Sequence, residues 1–279
     1  MTLHKERKNA LKKQTILFIG AGRMAESIIS GLVKSPNIED IYVSNHRNRE
    51  KLMYLEKKYG IRPSFSWGSD AEKADMILLA MPPEAHPEFL KELKPVLTGQ
   101  FVVTIAAGIG PSFLEEHLGR DVPAAWIMPN TASEIGESMS LVAYGQAALE
   151  HHKLMLKDVL DAIGESEVCT EEQVHQLTAI TGSAPAFLYA FAESLIEQAE
   201  TYGISHQHAV KLVSQMMAGS SAMLKLKKAP KELREQVTTP GGATAEGINV
   251  LVQGGFSRLI KEAVIATNRK ALGKWQENQ

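Results

Sequence analysis

Gly20-Ala21-Gly22-Arg23-Met24-Ala25 spells G-x-G-x-x-A between a short apolar run, residues 15–19, and a stretch of helical apolar spacing, residues 24–34. The chemistry open to this pattern is anion binding by the backbone. The first glycine permits a tight turn, the second lets the chain approach a pyrophosphate, and small Ala25 lets helix and sheet pack closely. Amides left unpaired at the helix start then face the anion. The end of the next strand refines the ligand. It reads Ser44-Asn45-His46-Arg47-Asn48-Arg49, with no carboxylate until Glu50. A ribose 2′-hydroxyl is usually held by an acid there, whereas a 2′-phosphate suits a guanidinium and short polar donors. Asn45, His46 and Arg47 therefore predict NADPH, with NADH as the alternative; the plain reading is a basic surface loop.

Two more short stretches follow apolar runs. Ala80-Met81-Pro82-Pro83 ends one with prolines that stop strand pairing, and Ala106-Ala107-Gly108 ends another with residues small enough for a ring to lie against. Both read either as cofactor-facing loops or as plain strand punctuation. A different feature is Thr238-Thr239-Pro240-Gly241-Gly242-Ala243-Thr244, set among segments that otherwise read as helices. Two adjacent glycines are costly for a mere connector. The plain reading of Thr244 is a helix N-cap.

The elements that must position these residues have two grammars. In the first half, apolar runs at residues 15–19, 41–44, 75–80 and 101–106, with a short third strand at 64–67, alternate with helical segments at 24–34, 50–59 and 87–97. Such alternation predicts an α/β fold, a Rossmann-type doubly wound parallel sheet that binds ligands at the carboxyl ends of its strands. From about residue 171 the strand signal stops. Helices are expected at 186–202, from a Ser205 cap to 226, from Pro230, and from 257 to 274. The small run Ala218-Gly219-Ser220-Ser221-Ala222 would let another backbone come close. This all-α C-terminal half has too much apolar surface to close its own core, which predicts a dimerisation domain that pairs with a second copy. The expected boundaries are a basic disordered tail over 1–13, an NADP-binding domain over 14–168 and a helical substrate and dimerisation domain over 169–279.

Composition narrows the classes. The chain has 279 residues, with 30 basic against 32 acidic side chains, a balance that gives no general attraction for nucleic acid or an acidic membrane. No uninterrupted apolar run reaches the roughly 18 residues of a membrane span. The single Cys169 excludes an intramolecular disulfide framework and predicts a cytoplasmic location. The nine histidines, including His151-His152 and His206-x-His208, read as surface residues, and no metal site is expected.

In the order and spacing of GAGRMA, Ala106-Ala107-Gly108, Met128-Pro129-Asn130-Thr131, TGSAPAF (residues 181–187), TTPGGAT and Gly254-Gly255-Phe256, the sequence resembles the pyrroline-5-carboxylate reductase family over about residues 15–275. The resemblance implies a dinucleotide-binding domain followed by a helical domain that pairs between subunits. It implies hydride transfer from NAD(P)H to the imine carbon of 1-pyrroline-5-carboxylate, giving L-proline, with self-association as a homodimer and a larger ring of dimers left open. The family's substrate contacts carry over to Ser183, Thr239, Gly241, Gly242, Ala243 and Thr244. Thr244 takes the catalytic position, its hydroxyl beside the imine nitrogen, and with Ala243 it is placed near the nicotinamide. Cofactor contacts carry over to Gly20, Ala21, Gly22, Arg23, Met24, Asn45, His46, Arg47, Ala80, Met81, Pro82, Pro83, Ala106, Ala107, Gly108 and Asn130. Backbone amides of a Gly-Gly turn entering a helix can hold a carboxylate without a cationic side chain. A threonine hydroxyl both donates and accepts, so it can orient the nitrogen. The wording departs from the family at Met81-Pro82-Pro83, where V-K-P is common, and at TGSAPAF, where S-G-S-G-P-A-Y is common. Reduction of a different imine, and a non-catalytic NADPH-binding regulator, remain as alternatives. A β-hydroxyacid dehydrogenase would need a lysine on the first long helix of the second domain, and none lies between Lys157 and Lys211.

Overall fold

The apolar runs become strands whose alternate side chains feed two separate cores. In the computed structural model, which describes residues 13–46, 48–226 and 229–276, the chain divides into two compact units, Met1–Gly182 with Lys270–Gln279, and Ser183–Arg269. Residues 1–12 of the basic tail, and Arg47 in the loop after β2, lie outside the described residues.

The first unit runs β1 (Gln14–Ile19), α1 (Arg23–Leu32), β2 (Ile38–Ser44), α2 (Arg49–Tyr59), β3 (Arg62–Ser64), α3 (Trp67–Ala71), β4 (Met76–Leu79), α4 (His86–Leu93), β5 (Phe101–Thr104), α5 (Pro111–Leu118), β6 (Ala124–Met128), β7 (Ser138–Tyr144), α6 (Glu150–Asp161), β8 (Gly164–Val168) and α7 (Glu171–Thr178). One sheet holds all eight strands in the order β3-β2-β1-β4-β5-β6-β7-β8. It is parallel through β6; β7 returns antiparallel to β6, and β8 runs parallel to β7. Because side chains alternate along a strand, Ile16 and Phe18 of β1 pack with α1, α2 and α6, while Leu17 and Ile19 pack with α3, α4 and α5. The sheet is thus covered on both faces, as expected for continuous apolar strands.

Two expectations shift. The third strand is Arg62–Ser64 rather than 64–67, and Trp67 opens a helix. Pro63 is tolerated because β3 is an edge strand bonded only to β2. The strands β6, β7 and β8 extend the sheet beyond the five read from sequence.

The helices α1 and α2 are clasped through one carboxylate. Glu26 accepts hydrogen bonds from Lys51, Lys58 (3.1 Å) and the Tyr59 hydroxyl (3.1 Å). Burial alone would raise this carboxyl, but those three donors outweigh it and draw its pKa from 4.5 down to about 2. On its other side α1 meets α6 so closely that a Cβ on Gly31 would overlap the Ala162 carbonyl.

The second unit is all helical: α8 (Ala184–Glu200), α9 (His206–Lys225), α10 (Pro230–Gln236) and α11 (Ala243–Gln253), followed by α12 (Phe256–Gln276), which runs on past the unit's end. Ser205 caps α9 by accepting from the His208 amide, and Pro230 opens α10 where no amide is needed. The first long helix starts earlier than 186. It continues from α7 through a π-helical turn, Ala179–Ser183, so that Glu171–Glu200 is unbroken. With a mean hydropathy of 1.2 in its most apolar window, it is the one helix among the described residues long and apolar enough to cross a bilayer. That apolarity belongs to a wider pattern. Among the described residues of α8, α9, α10 and α11 only Ala209 and Val213 are buried, whereas Tyr189, Leu212, Val250 and Val252 are 58%, 61%, 69% and 70% exposed. So much unpartnered apolar surface marks an interaction face.

Two outcomes test the first unit's packing. Gly31→Ala should lower its stability in urea by about 1–3 kcal/mol through overpacking, while Gly68→Ala, where a Cβ meets no neighbour, should change little. The Glu26 carboxyl is depressed in the fold, so the stability it contributes is present above pH 4.5 and is lost as pH falls toward about 2. The stability difference between wild type and Glu26→Gln should shrink across that window; a constant difference would refute the clasp.

Candidate nucleotide site and substrate turn

The turn after β1 is shaped by two glycines with different constraints. Gly20 has φ +112°, and a Cβ there would stand 2.6 Å from the Ala80 carbonyl oxygen at the exit of β4. No side chain fits. Its amide donates to Ser44 O at the end of β2 (2.9 Å), and the Ala80 amide donates to Ile19 O (2.8 Å). Gly22 is the N-cap of α1, and no side chain caps this helix. A Cβ on Gly22 would meet nothing within 4 Å, so the space before the first amides of α1 is open. Ala25 is fully buried against the sheet. An uncapped helix start behind a glycine turn fits a pyrophosphate.

The loop after β2 starts at Asn45 and exposed His46. Asn48 then caps α2, accepting from the Lys51 amide at 2.8 Å, and the Arg49 guanidinium lies 5.3 Å from the Phe65 ring. Arg49 is the described guanidinium of this loop.

The exits of β4 and β5 lie side by side, because Leu79 pairs with Thr104 in the ladder. A histidine joins them. His86, read from sequence as a surface residue, has no exposed area. Its Nδ1 lies 3.1 Å from Pro82 O and its Nε2 3.0 Å from Thr104 Oγ1. Thr104 Oγ1 in turn accepts from the Ala106 amide at 3.1 Å. Burial lowers the pKa of His86, so the ring is held neutral. His152 is also nearly buried, packed against Phe101. No cluster of three metal-ligating side chains occurs among the described residues.

Asn130 has a structural task within the first unit. Its Oδ1 accepts from the Ala132 amide (2.9 Å), and its Nδ2 donates to Thr181 O (2.9 Å). The second bond has a clear cause. Pro185 has no amide to offer the carbonyl four residues earlier, which is Thr181. Asn130 supplies the missing donor. The Thr181 hydroxyl itself is buried without a hydrogen-bond partner.

In the second unit the TTPGGAT segment is a turn leading into α11. Gly241 has φ +73°, a left-handed conformation that favours glycine. The Gly242 amide donates to Thr239 O at 2.9 Å. Gly242 is the N-cap of α11, again with no capping side chain. The plain reading of Thr244 as a helix N-cap is therefore corrected: Thr244 is the second helical residue, exposed, with its hydroxyl free of the capping task. Ser183 ends the π-helical turn inside a continuous helix.

Comparison with known proteins covers nearly the whole chain. The family model described as pyrroline-5-carboxylate reductase dimerisation matches residues 171–273, and that described as NADP oxidoreductase, coenzyme F420-dependent, matches residues 15–108. The chain is 34% identical over 256 residues to pyrroline-5-carboxylate reductase 1 of Bacillus subtilis (strain 168), covering 90% of this chain and 86% of that one. It is 31% identical over 257 residues to reductase 2 of the same organism, covering 91% and 92%. Among solved structures, a pyrroline-5-carboxylate reductase from Coxiella burnetii superposes with a TM-score of 0.86 at 29% identity, over 94% of this chain and 98% of that one. A Plasmodium falciparum pyrroline carboxylate reductase with NADP bound gives 0.82 at 26% identity, over 94% and 98%.

Proposed function

The chain belongs to the pyrroline-5-carboxylate reductase family, and from that premise we propose that it reduces 1-pyrroline-5-carboxylate to L-proline, with NADPH as the preferred donor. The observation that carries this reading is the uncapped start of α11 behind Gly241-Gly242, a cradle for a small carboxylate that needs no cationic side chain. We assign NADP binding to residues 14–168 and substrate binding and self-association to 169–279.

The dinucleotide would be held by the uncapped start of α1, by the loop from Asn45 through Arg47, and by the exits of β4 and β5. When bound, it supplies the hydride that the imine carbon of the ring, which already bears one hydrogen, takes up to become a CH2 group. The amides of Ala243 and Thr244 receive the substrate carboxylate, and the glycines leave room for the ring. The Thr244 hydroxyl orients the ring nitrogen as a hydrogen-bond partner. Its own pKa lies far too high for it to act as a strong acid, so the nitrogen takes its proton from solvent or enters already protonated. Catalysis then rests mainly on positioning. The preference for NADPH is supported by the acid-free end of β2, where Ser44 and Asn45 lead into His46, Asn48 and Arg49.

The apolar faces of α8, α9 and α11 fit burial against a second copy, so the working unit is a homodimer formed through the C-terminal helices, in the cytoplasm. Reduction of another imine has no specific observation in its favour.

An NADPH-oxidation assay with 1-pyrroline-5-carboxylate should show turnover, with kcat/KM for NADPH above that for NADH by about tenfold or more. Equal efficiency would remove the 2′-phosphate reading; tight NADPH binding without turnover would favour a regulator. Thr244→Ala should lower kcat by about 100-fold and leave the unfolding midpoint nearly unchanged, because the residue is exposed. A matching loss of stability would assign Thr244 to the fold instead.

A further inference from the structure

Beyond Leu79 and Thr104 the two strand exits lose their backbone ladder. The last rung is the Ile105 amide donating to Leu79 O at 3.1 Å. Pro82 and Pro83 have no amide hydrogens, so at these two residues the β4 exit has no backbone donor to offer β5. A side-chain chain takes over, and its direction is fixed by chemistry. Pro82 O can only accept, so Nδ1 of the neutral His86 ring carries the proton. Nε2 must then accept, and the donor facing it is the Thr104 hydroxyl. With its hydrogen directed to His86, Thr104 Oγ1 is free to accept from the Ala106 amide. One unbroken series therefore runs from Ala106 N–H through Thr104 and His86 to Pro82 O, and both side chains in it are fully buried. The opposite tautomer would set a lone pair of Nδ1 against the Pro82 carbonyl.

Both ends of this series are backbone groups of the exits assigned to the cofactor. The β4 exit is also pressed against the glycine turn, where Ala80 O fills the space of a Gly20 side chain. Three turns from β1, β4 and β5 are thereby locked into one ledge. We propose that His86 and Thr104 are positioning residues for the reduction, a buried relay that fixes the spacing of the β4 and β5 exits on which the dinucleotide lies. The proposal rests on the reading of those exits as cofactor contacts. His86 has no exposed surface, so its part in the reaction is to position and not to move a proton.

The test measures NADPH affinity of the intact protein by titrating cofactor fluorescence, alongside urea stability and steady-state kinetics. Thr104→Val keeps the shape and removes the hydroxyl; it should raise the Kd and KM for NADPH by about tenfold and leave the KM for the imine unchanged. Thr104→Ser keeps the hydroxyl and should restore wild-type affinity. His86→Asn retains a donor for Pro82 O but cannot reach Thr104, and should weaken NADPH as Thr104→Val does. That variant decides the matter on its own if the valine protein does not fold. Wild-type NADPH affinity in a folded Thr104→Val or His86→Asn protein, with stability reduced, would overturn the relay and leave only a brace for the fold. Failure of the wild-type protein to bind NADPH or NADH would instead overturn the reading of the exits, and the relay with it.

Discussion

A side chain at residue 20 would begin inside the Ala80 carbonyl, and much of the first unit's carboxyl edge follows from that lack of room. Because the glycine backbone lies directly on the β4 exit, the turn after β1 and the start of α1 take their positions from the sheet rather than from any side chain. The Gly20 amide meets Ser44 at the end of β2, which joins the third neighbouring strand to the same point. In a parallel sheet these strand ends all face one side, so a single close approach aligns the start of a helix with several exits. The Glu26 clasp sets α2 against α1, and α2 in turn carries the loop that follows β2.

The second unit is governed by the opposite condition. Its helices have apolar stripes and almost no interior, with none of α8, α10 or α11 holding a buried residue. A helix pair such as α8 and α9 gains little from burial within one chain, since hydrophobic stabilisation scales with the area removed from water. Its stability therefore depends on another apolar surface, and that surface is supplied by self-association. The family model that covers residues 171–273 is one for dimerisation, which matches the physical need. The same apolar stripe gives Glu171–Glu200 its membrane-length hydropathy.

How much of this was legible depended on whether a residue's task leaves a local pattern. The strands β1, β2, β4 and β5 were readable because they are buried on both faces and so carry continuous apolar runs. The strand β8 was not: Gly164-Glu165-Ser166-Glu167-Val168 lies at the sheet edge, mostly exposed, and its pairing with β7 rests on backbone bonds that any sequence offers. The glycine motifs were legible because Gly20 and Gly241 need conformations few other residues accept. Thr244 was readable as the entry to α11 but not as its second residue, since cap geometry is settled within a single peptide unit. His86 was hidden because its partners, Pro82 and Thr104, are 4 and 18 residues away and no spacing rule links them. The available signal was a polar Thr104 closing an otherwise apolar strand, next to an exit whose prolines cannot bond.

The uncapped starts of α1 and α11 present backbone amides rather than cationic side chains, and this choice places demands on the rest of the molecule. A lysine or arginine can reach a ligand from several rotamers, so a small error in its backbone is absorbed by the side chain. An amide has no such freedom, because its position is the position of the chain. Where the family commonly has a lysine, this chain has Met81-Pro82-Pro83, which removes a mobile charge and stiffens the exit. Precision must then come from the parts that hold the exit still, namely the Gly20 contact on one side and buried hydrogen bonds on the other. A buried neutral imidazole suits that role better than an ion pair would. It offers one donor and one acceptor at fixed separation without the cost of desolvating a charge.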